Sequence, residues 1–116
     1  MGLIRHSERE SVEAYPGVER QTIVGRDTGA GALSTSWVTI SPGATVRVHR
    51  HKVEEAMLVV AGEGLAILGD ERMPIKANET LLAPAGVHHG FINTGTEPMI
   101  VSGIFPAVDI EIIFDD

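Results

Sequence analysis

Five histidines stand in this 116-residue chain: His6, His49, His51, His88 and His89. Their spacing is the first chemical signal. Side chains in a strand alternate between faces, so His49 and His51 point the same way with one residue between them. Two imidazoles side by side are what a transition metal requires. Glu55 shares that parity four residues on, within reach if the chain bends briefly. His89 comes from a distant segment, and only a closed fold brings it to the other three. His88 has the opposite parity to His89 and is expected to face away. Three neutral imidazoles and one carboxylate suit a single divalent ion, Mn²⁺, Fe²⁺, Ni²⁺, Zn²⁺ or Cu²⁺, and the sequence does not choose among them.

The elements that must position these donors read as strands. No long window carries apolar residues at helical spacing; the pattern is short β-type runs between Gly, Pro, Asn and Asp. Strands are expected over 21–24, 33–40, 46–49, 55–61, 64–68, 71–75, 80–83, 89–93, 99–105 and 109–114. Many short strands with frequent turns point to an all-β antiparallel sandwich or barrel. Residues 1–18 are polar and weakly patterned, an N-terminal arm or edge strand, and any helix is expected over 7–14. Without repeats or linker-like stretches, 1–116 reads as one domain.

Composition narrows the partners. A net charge of −7 argues against nucleic acid and against an anionic membrane surface, both of which need a positive footprint. With no cysteine there is no disulfide, thiolate site or Cys nucleophile. The first residues lack the apolar stretch of a signal peptide and no run approaches a membrane span, so the cytoplasm is the default location. Phe, Trp and Tyr supply only 4% of the chain, which leaves the core to aliphatic residues and Met.

Two longer patterns now come into view. Gly43, five residues, His49, one, His51, three, Glu55, six and Gly62 resembles the first signature of the cupin superfamily at every position. Pro84, one residue, Gly86, two, His89, three and Asn93 resembles the second, except that Asn78 stands where its opening glycine would be. Asn tolerates the left-handed turn conformation best among residues with a Cβ, so the departure is mild. The resemblance implies a small double-stranded β-helix, a jelly-roll barrel of two antiparallel sheets. The metal would sit near one open end on His49, His51, Glu55 and His89. Glu55 could also swing off the ion and act as general base. Cupins with this ligand set include dioxygenases, decarboxylases and isomerases. The resemblance therefore implies a metal-dependent enzyme acting on a small polar metabolite. The rival reading is a non-catalytic, metal-dependent binding or sensor module.

Alternation extends the site. It places Arg47 with His49, Met57 with Glu55 and Phe91 with His89, an apolar substrate pocket with one cation. Arg47 would then hold a substrate carboxylate through a bidentate pair, or, if the strand twists near the Pro42-Gly43 turn, lie at the surface. Trp37 is expected in core packing or a dimer contact, and Asn93 in a turn. A homodimer is expected, formed by the 109–114 tail and the 21–24 stretch across a two-fold axis.

Overall fold

Turn chemistry and period-two alternation shape the chain from its start. The computed structural model describes residues 2–115. Ten strands follow one another: β1 Ser11–Tyr15, β2 Val18–Val24, β3 Ser34–Ile40, β4 Thr45–His49, β5 Glu55–Ala61, β6 Glu63–Leu68, β7 Glu71–Lys76, β8 Thr80–Ala83, β9 His89–Ile92 and β10 Met99–Phe105. They form two antiparallel sheets, one ordered β1-β2-β3-β10-β5-β8 and the other β4-β9-β6-β7. This is the expected jelly-roll barrel. Among the described residues no helix is long and apolar enough to cross a membrane.

The sheets face each other across an aliphatic core. Ile40 and Met99 are fully excluded from solvent, with Val18, Ala66, Val101 and Ile75 packed around them. In the larger sheet, strands β5, β8 and β10 turn alternate residues inward. On β5 these are Glu55, Met57 and Val59, while Leu58 and Val60 face out. Burying one such aliphatic side chain is worth roughly 1.5–3 kcal/mol, so the core carries much of the fold's stability.

Two expectations are corrected here. Residues 7–14 are not helical: a three-residue 3-10 turn, His6–Glu8, is followed by strand β1. The reason lies just downstream, where Pro16-Gly17 closes a hairpin that pairs Tyr15 with Val18. Gly17 takes φ +77°, which suits the second central position of a turn opened by proline. The hairpin lengthens β2 back to Val18 and pairs it with β1 on one side and β3 on the other. β1 covers that side of β2 only as far as Gln21, and residues 22–24 pair with β3 alone.

The 109–114 segment is not a strand of either sheet either. Its alternation is real, with Ile110 and Ile112 half-buried and Asp109 and Glu111 exposed. Its ladder contact is a single bridge, between Arg50 and Ile113. The tail runs as a strap across its own barrel. Asn78 adopts φ +71°, the left-handed turn conformation for which it substitutes for glycine. Asn93 is fully buried and bonds in turn geometry, donating to the Ile40 and Glu97 carbonyls and accepting from the Gly95 amide. Trp37 lies half-buried on the outer face of β3, edge-on to His6 at 4.7 Å between ring centroids.

Candidate metal centre

The four predicted donors arrive from four places in the barrel. His49 ends β4, His51 sits in the connection after it, Glu55 opens β5 and His89 opens β9. β4 and β9 are neighbours, and His49 pairs directly with His89. The connection through residues 50–54 turns the chain from one sheet to the other and brings His51 and Glu55 to the same spot. One ligand atom from each residue lies within 4.8 Å of all the others. All four are buried, from 2% exposed for His89 to 8% for His49.

Hydrogen bonding sets the imidazoles for metal. His49 Nδ1 donates to the Arg47 carbonyl at 2.7 Å, His51 Nδ1 to the Glu111 carbonyl at 2.7 Å and His89 Nδ1 to the Val87 carbonyl at 3.0 Å. A carbonyl oxygen only accepts, so each Nδ1 carries the proton and each neutral ring turns its Nε2 lone pair inward. Glu55 Oε1 lies 3.0 Å from His89 Nε2 and 3.3 Å from His51 Nε2. Lone pairs and a carboxylate converging on one buried point call for a cation, and the donor chemistry fits a divalent ion.

The electrostatics agree. Burial pulls His49 down to about 4, with its neighbouring histidines adding to the effect, so it stays neutral over the ordinary pH range. Burial also pulls on His51, but the Glu55 carboxylate and the Glu111 carbonyl outweigh it and leave the ring raised. For Glu55 burial raises the carboxyl, but the imidazoles of His51 and His89 beside it outweigh that and hold it below its usual range.

One position inside the barrel exists to admit Glu55. Gly103 on β10 faces inward, and a Cβ there would lie 2.5 Å from Glu55 Oε2 and 2.7 Å from Ser36 Oγ. The carboxylate occupies space that any other residue at 103 would fill.

The donors form one end of a cavity of about 300 Å³. Met57 and Phe91 line it, as alternation predicts, and Val46, Val38 and Val101 extend the apolar wall. The tail supplies Val108, Ile110 and Ile112 as a cover. It is clamped beyond them by Asp115, which pairs with Arg50 at 2.6 Å and with the exposed side chain of His88 at 2.7 Å. His88 therefore faces away from the donors, as its parity requires.

Arg47 is not where alternation puts it. Between Val46, opposite Phe91, and His49, opposite His89, β4 carries one residue more than β9. This bulge turns both Val46 and His49 inward and leaves Arg47 and Val48 outside. The Arg47 guanidinium lies 4.2 Å over the Phe114 ring, on the outside of the strap, and Arg47 is not part of the cavity wall. The cation in that wall is Arg20 on β2, joined by Tyr15 from β1. Neither is legible from alternation, because residues 1–18 are weakly patterned and a strand starting at Gln21 excludes both; the Pro16-Gly17 turn is the signal that extends β2 to Arg20 and adds β1.

Residues 36–108 match the family described as Cupin domain. The auxin-binding protein 1 of Arabidopsis thaliana is 30% identical over 112 residues, covering 87% of this chain and 57% of that protein, so the chain spans little more than half of that relative. Among solved structures, the polyketide cyclase RemF from Streptomyces resistomycificus superimposes with a TM-score of 0.82 at 18% identity, covering 100% of this chain and 87% of that one. The oxalate decarboxylase of Bacillus subtilis, in a structure concerned with its Mn(II) centres, superimposes with a TM-score of 0.84 at 20% identity over 94% of this chain and 30% of that one. With the signature residues gathered at one end of a two-sheet barrel and the family match covering well over half its length, the chain belongs to the cupin family.

Proposed function

We propose that this chain is a metal-dependent enzyme acting on a small polar metabolite, with dioxygen, decarboxylation or isomerisation chemistry as the classes to test. The observation that carries the reading is the buried quartet of His49, His51, Glu55 and His89 opening onto a cavity of about 300 Å³, the size of a small-metabolite site. A divalent ion held there would supply Lewis-acid polarisation of a ligand oxygen. The protein's own residues do the rest. Three backbone carbonyls fix the imidazoles, so the donors are organised before anything binds. Met57, Phe91 and the strap residues exclude water. Glu55, held ionised with Oε1 on the imidazoles, is the group placed to take a proton from a ligand.

Manganese is the first ion to test, since the similar oxalate decarboxylase is described by its Mn(II) centres; iron, nickel, zinc and copper follow from the donor set. Elemental analysis of the purified protein, then oxygen-uptake and product screens with small organic acids on the loaded protein, tests the reading. Turnover that disappears in His49→Ala supports it; a loaded protein inert toward the whole panel counts against it. A second reading, non-catalytic capture of a small ligand, is favoured by the 30% identity to an auxin-binding protein. Tight binding of a small acid without any product would select it.

We infer also that two copies associate, through the outer face of β5, β8 and β10 instead of the tail. Leu58, Val60, Leu82 and Ile104 are 37%, 45%, 55% and 39% exposed there. The outward residues between them, Ala56, Ile100 and Ser102, carry no charge, so two chains of net −7 meet there without opposing like charges.

A further inference from the structure

The quartet accounts for one end of the cavity; the other wall holds a charge that the metal chemistry does not use. Arg20 is half-buried on β2, opposite Val38 of β3, and lines the same cavity as the donors. Four other basic side chains are matched on the surface: Arg9 with Asp27, Arg26 with Asp109, Arg50 with Asp115 and Lys52 with Glu111. Arg20 makes no ion pair with a carboxylate among the described residues, in a chain with 16 acidic residues to choose from. A guanidinium in an apolar wall without a carboxylate partner is costly unless something else satisfies it.

Its neighbours are suited to an anion. Tyr15 lies beside it in the wall, along with the hydroxyls of Thr22 and Ser36. Burial pushes the Tyr15 hydroxyl up against the opposing pull of charge, chiefly that of Arg20. The register gives the scale. Val38, opposite Arg20, is two residues along β3 from Ser36, whose Oγ adjoins the site of Glu55 at Gly103. Two residues of strand and one step between strands place the Arg20 backbone on the order of 8 Å from that of Ser36. A short, flexible molecule bridges the quartet and the guanidinium, and Val38, Val46, Met57 and Val101 in the wall favour an apolar middle.

We propose that the cavity takes a small organic diacid, one carboxylate on the metal held by the quartet and the distal carboxylate paired with Arg20. The inference rests on the metal reading above and adds to it the substrate class and the residue that selects it. Arg20, not Arg47, is the specificity determinant. A charge-assisted, bidentate pair of this kind is worth roughly tenfold to a hundredfold in affinity.

The test uses the full chain loaded with Co²⁺, whose visible bands report ligand binding. The α,ω-dicarboxylates from succinate to suberate are titrated alongside the monocarboxylates of matching length, into parent, Arg20→Gln and Arg20→Lys. In the parent, a diacid of one preferred length binds about tenfold or more tighter than its monoacid. Arg20→Gln removes that preference and leaves monoacid affinity and cobalt content unchanged, while Arg20→Lys keeps part of it. No diacid preference in the parent, or a preference that survives in Arg20→Gln, overturns the inference. Should Arg20→Gln not fold, the parent series and a full preference in Arg20→Lys decide: the first must show the preference and the second must not. A parent that takes up no cobalt refutes the metal reading instead. Cobalt uptake with monoacid and diacid bound equally refutes only the role of Arg20.

Discussion

Substituting Gly103 by Ala separates the metal site from the fold that carries it. The new Cβ would meet Glu55 Oε2 at 2.5 Å and Ser36 Oγ at 2.7 Å, and an ordinary contact begins at 3.4 Å. Glu55 must therefore withdraw by about 0.9 Å, or the serine and the strand must move with it. Both obstructing atoms end flexible side chains, and φ at residue 103 is not positive, so the backbone accepts an alanine. Replacing glycine at a compatible position restricts the unfolded chain and is worth about 0.4–1 kcal/mol of stability, which offsets the crowding. Folding stability should stay within about 1 kcal/mol of the parent. Metal affinity has no such compensation. A ligand carboxylate displaced by most of an ångström loses its place among the imidazoles, and disturbing ligand placement typically costs ten- to a hundredfold. Calorimetric melting of the metal-free proteins, with competition titrations of Mn²⁺ and Co²⁺ against a chelator, measures the two quantities separately. Parent-like metal affinity in Gly103→Ala would refute the reasoning, because it would mean that Glu55 does not need the space above residue 103. A double variant, Gly103→Ala with Ser36→Gly, removes the hydroxyl but not the carboxylate contact and should not restore binding.

Other expectations follow from the same geometry. Ala at His49, His51 or His89 should cut metal content sharply, as read by elemental analysis, whereas His88→Ala should change it little because His88 faces Asp115. Metal affinity should fall as pH drops and His51, whose pKa is raised by Glu55 and the Glu111 carbonyl against the pull of burial, takes a proton; His49, lowered to about 4, does not compete, and a titration flat from about pH 8 to 5 would contradict this. Without metal, these two histidines should make stability highest near pH 6.5 in a series of melting curves. Below it the unfolded chain binds a proton that folded His49 refuses down to about 4, and above it the extra stability from His51 is lost as pH rises through its raised value. Removing the strap from Asp109 onward takes away the Glu111 carbonyl that orients His51 and should weaken metal binding about ten- to a hundredfold by chelator competition. Leu58→Glu together with Leu82→Glu should shift a sedimenting dimer to monomer without loss of metal, and an unchanged sedimentation coefficient would exclude the outer face as the contact.

What the sequence made legible, and what it hid, turns on backbone regularity. The donors were readable because their spacing is a property of the chain itself: His49, one residue and His51 bring two rings together even though only His49 lies within a strand. Inward residues of uninterrupted strands, Met57 and Phe91, were readable for the same reason. Alternation failed where β4 takes in an extra residue, between Val46 and His49. That bulge reverses the parity of everything before it, so counting back from His49 assigns Arg47 to the wrong side and Val46 to the wrong side in turn. Nothing in the residues from Thr45 to His49 announces the bulge, because Val, Arg and Val suit a regular strand as well. The tail misled in the opposite way. Its alternation from Asp109 to Phe114 is that of an extended chain, and extension alone does not say whether the partner is a strand edge or the mouth of a barrel. The two failures share a consequence for the site. The bulge moves a cation out of the cavity and the strap closes over the place it would have held, so the guanidinium left to meet an incoming anion is the one on β2. It is the tertiary arrangement, two sheets closing on a strand that a Pro-Gly hairpin holds in place, that makes Arg20 part of the pocket.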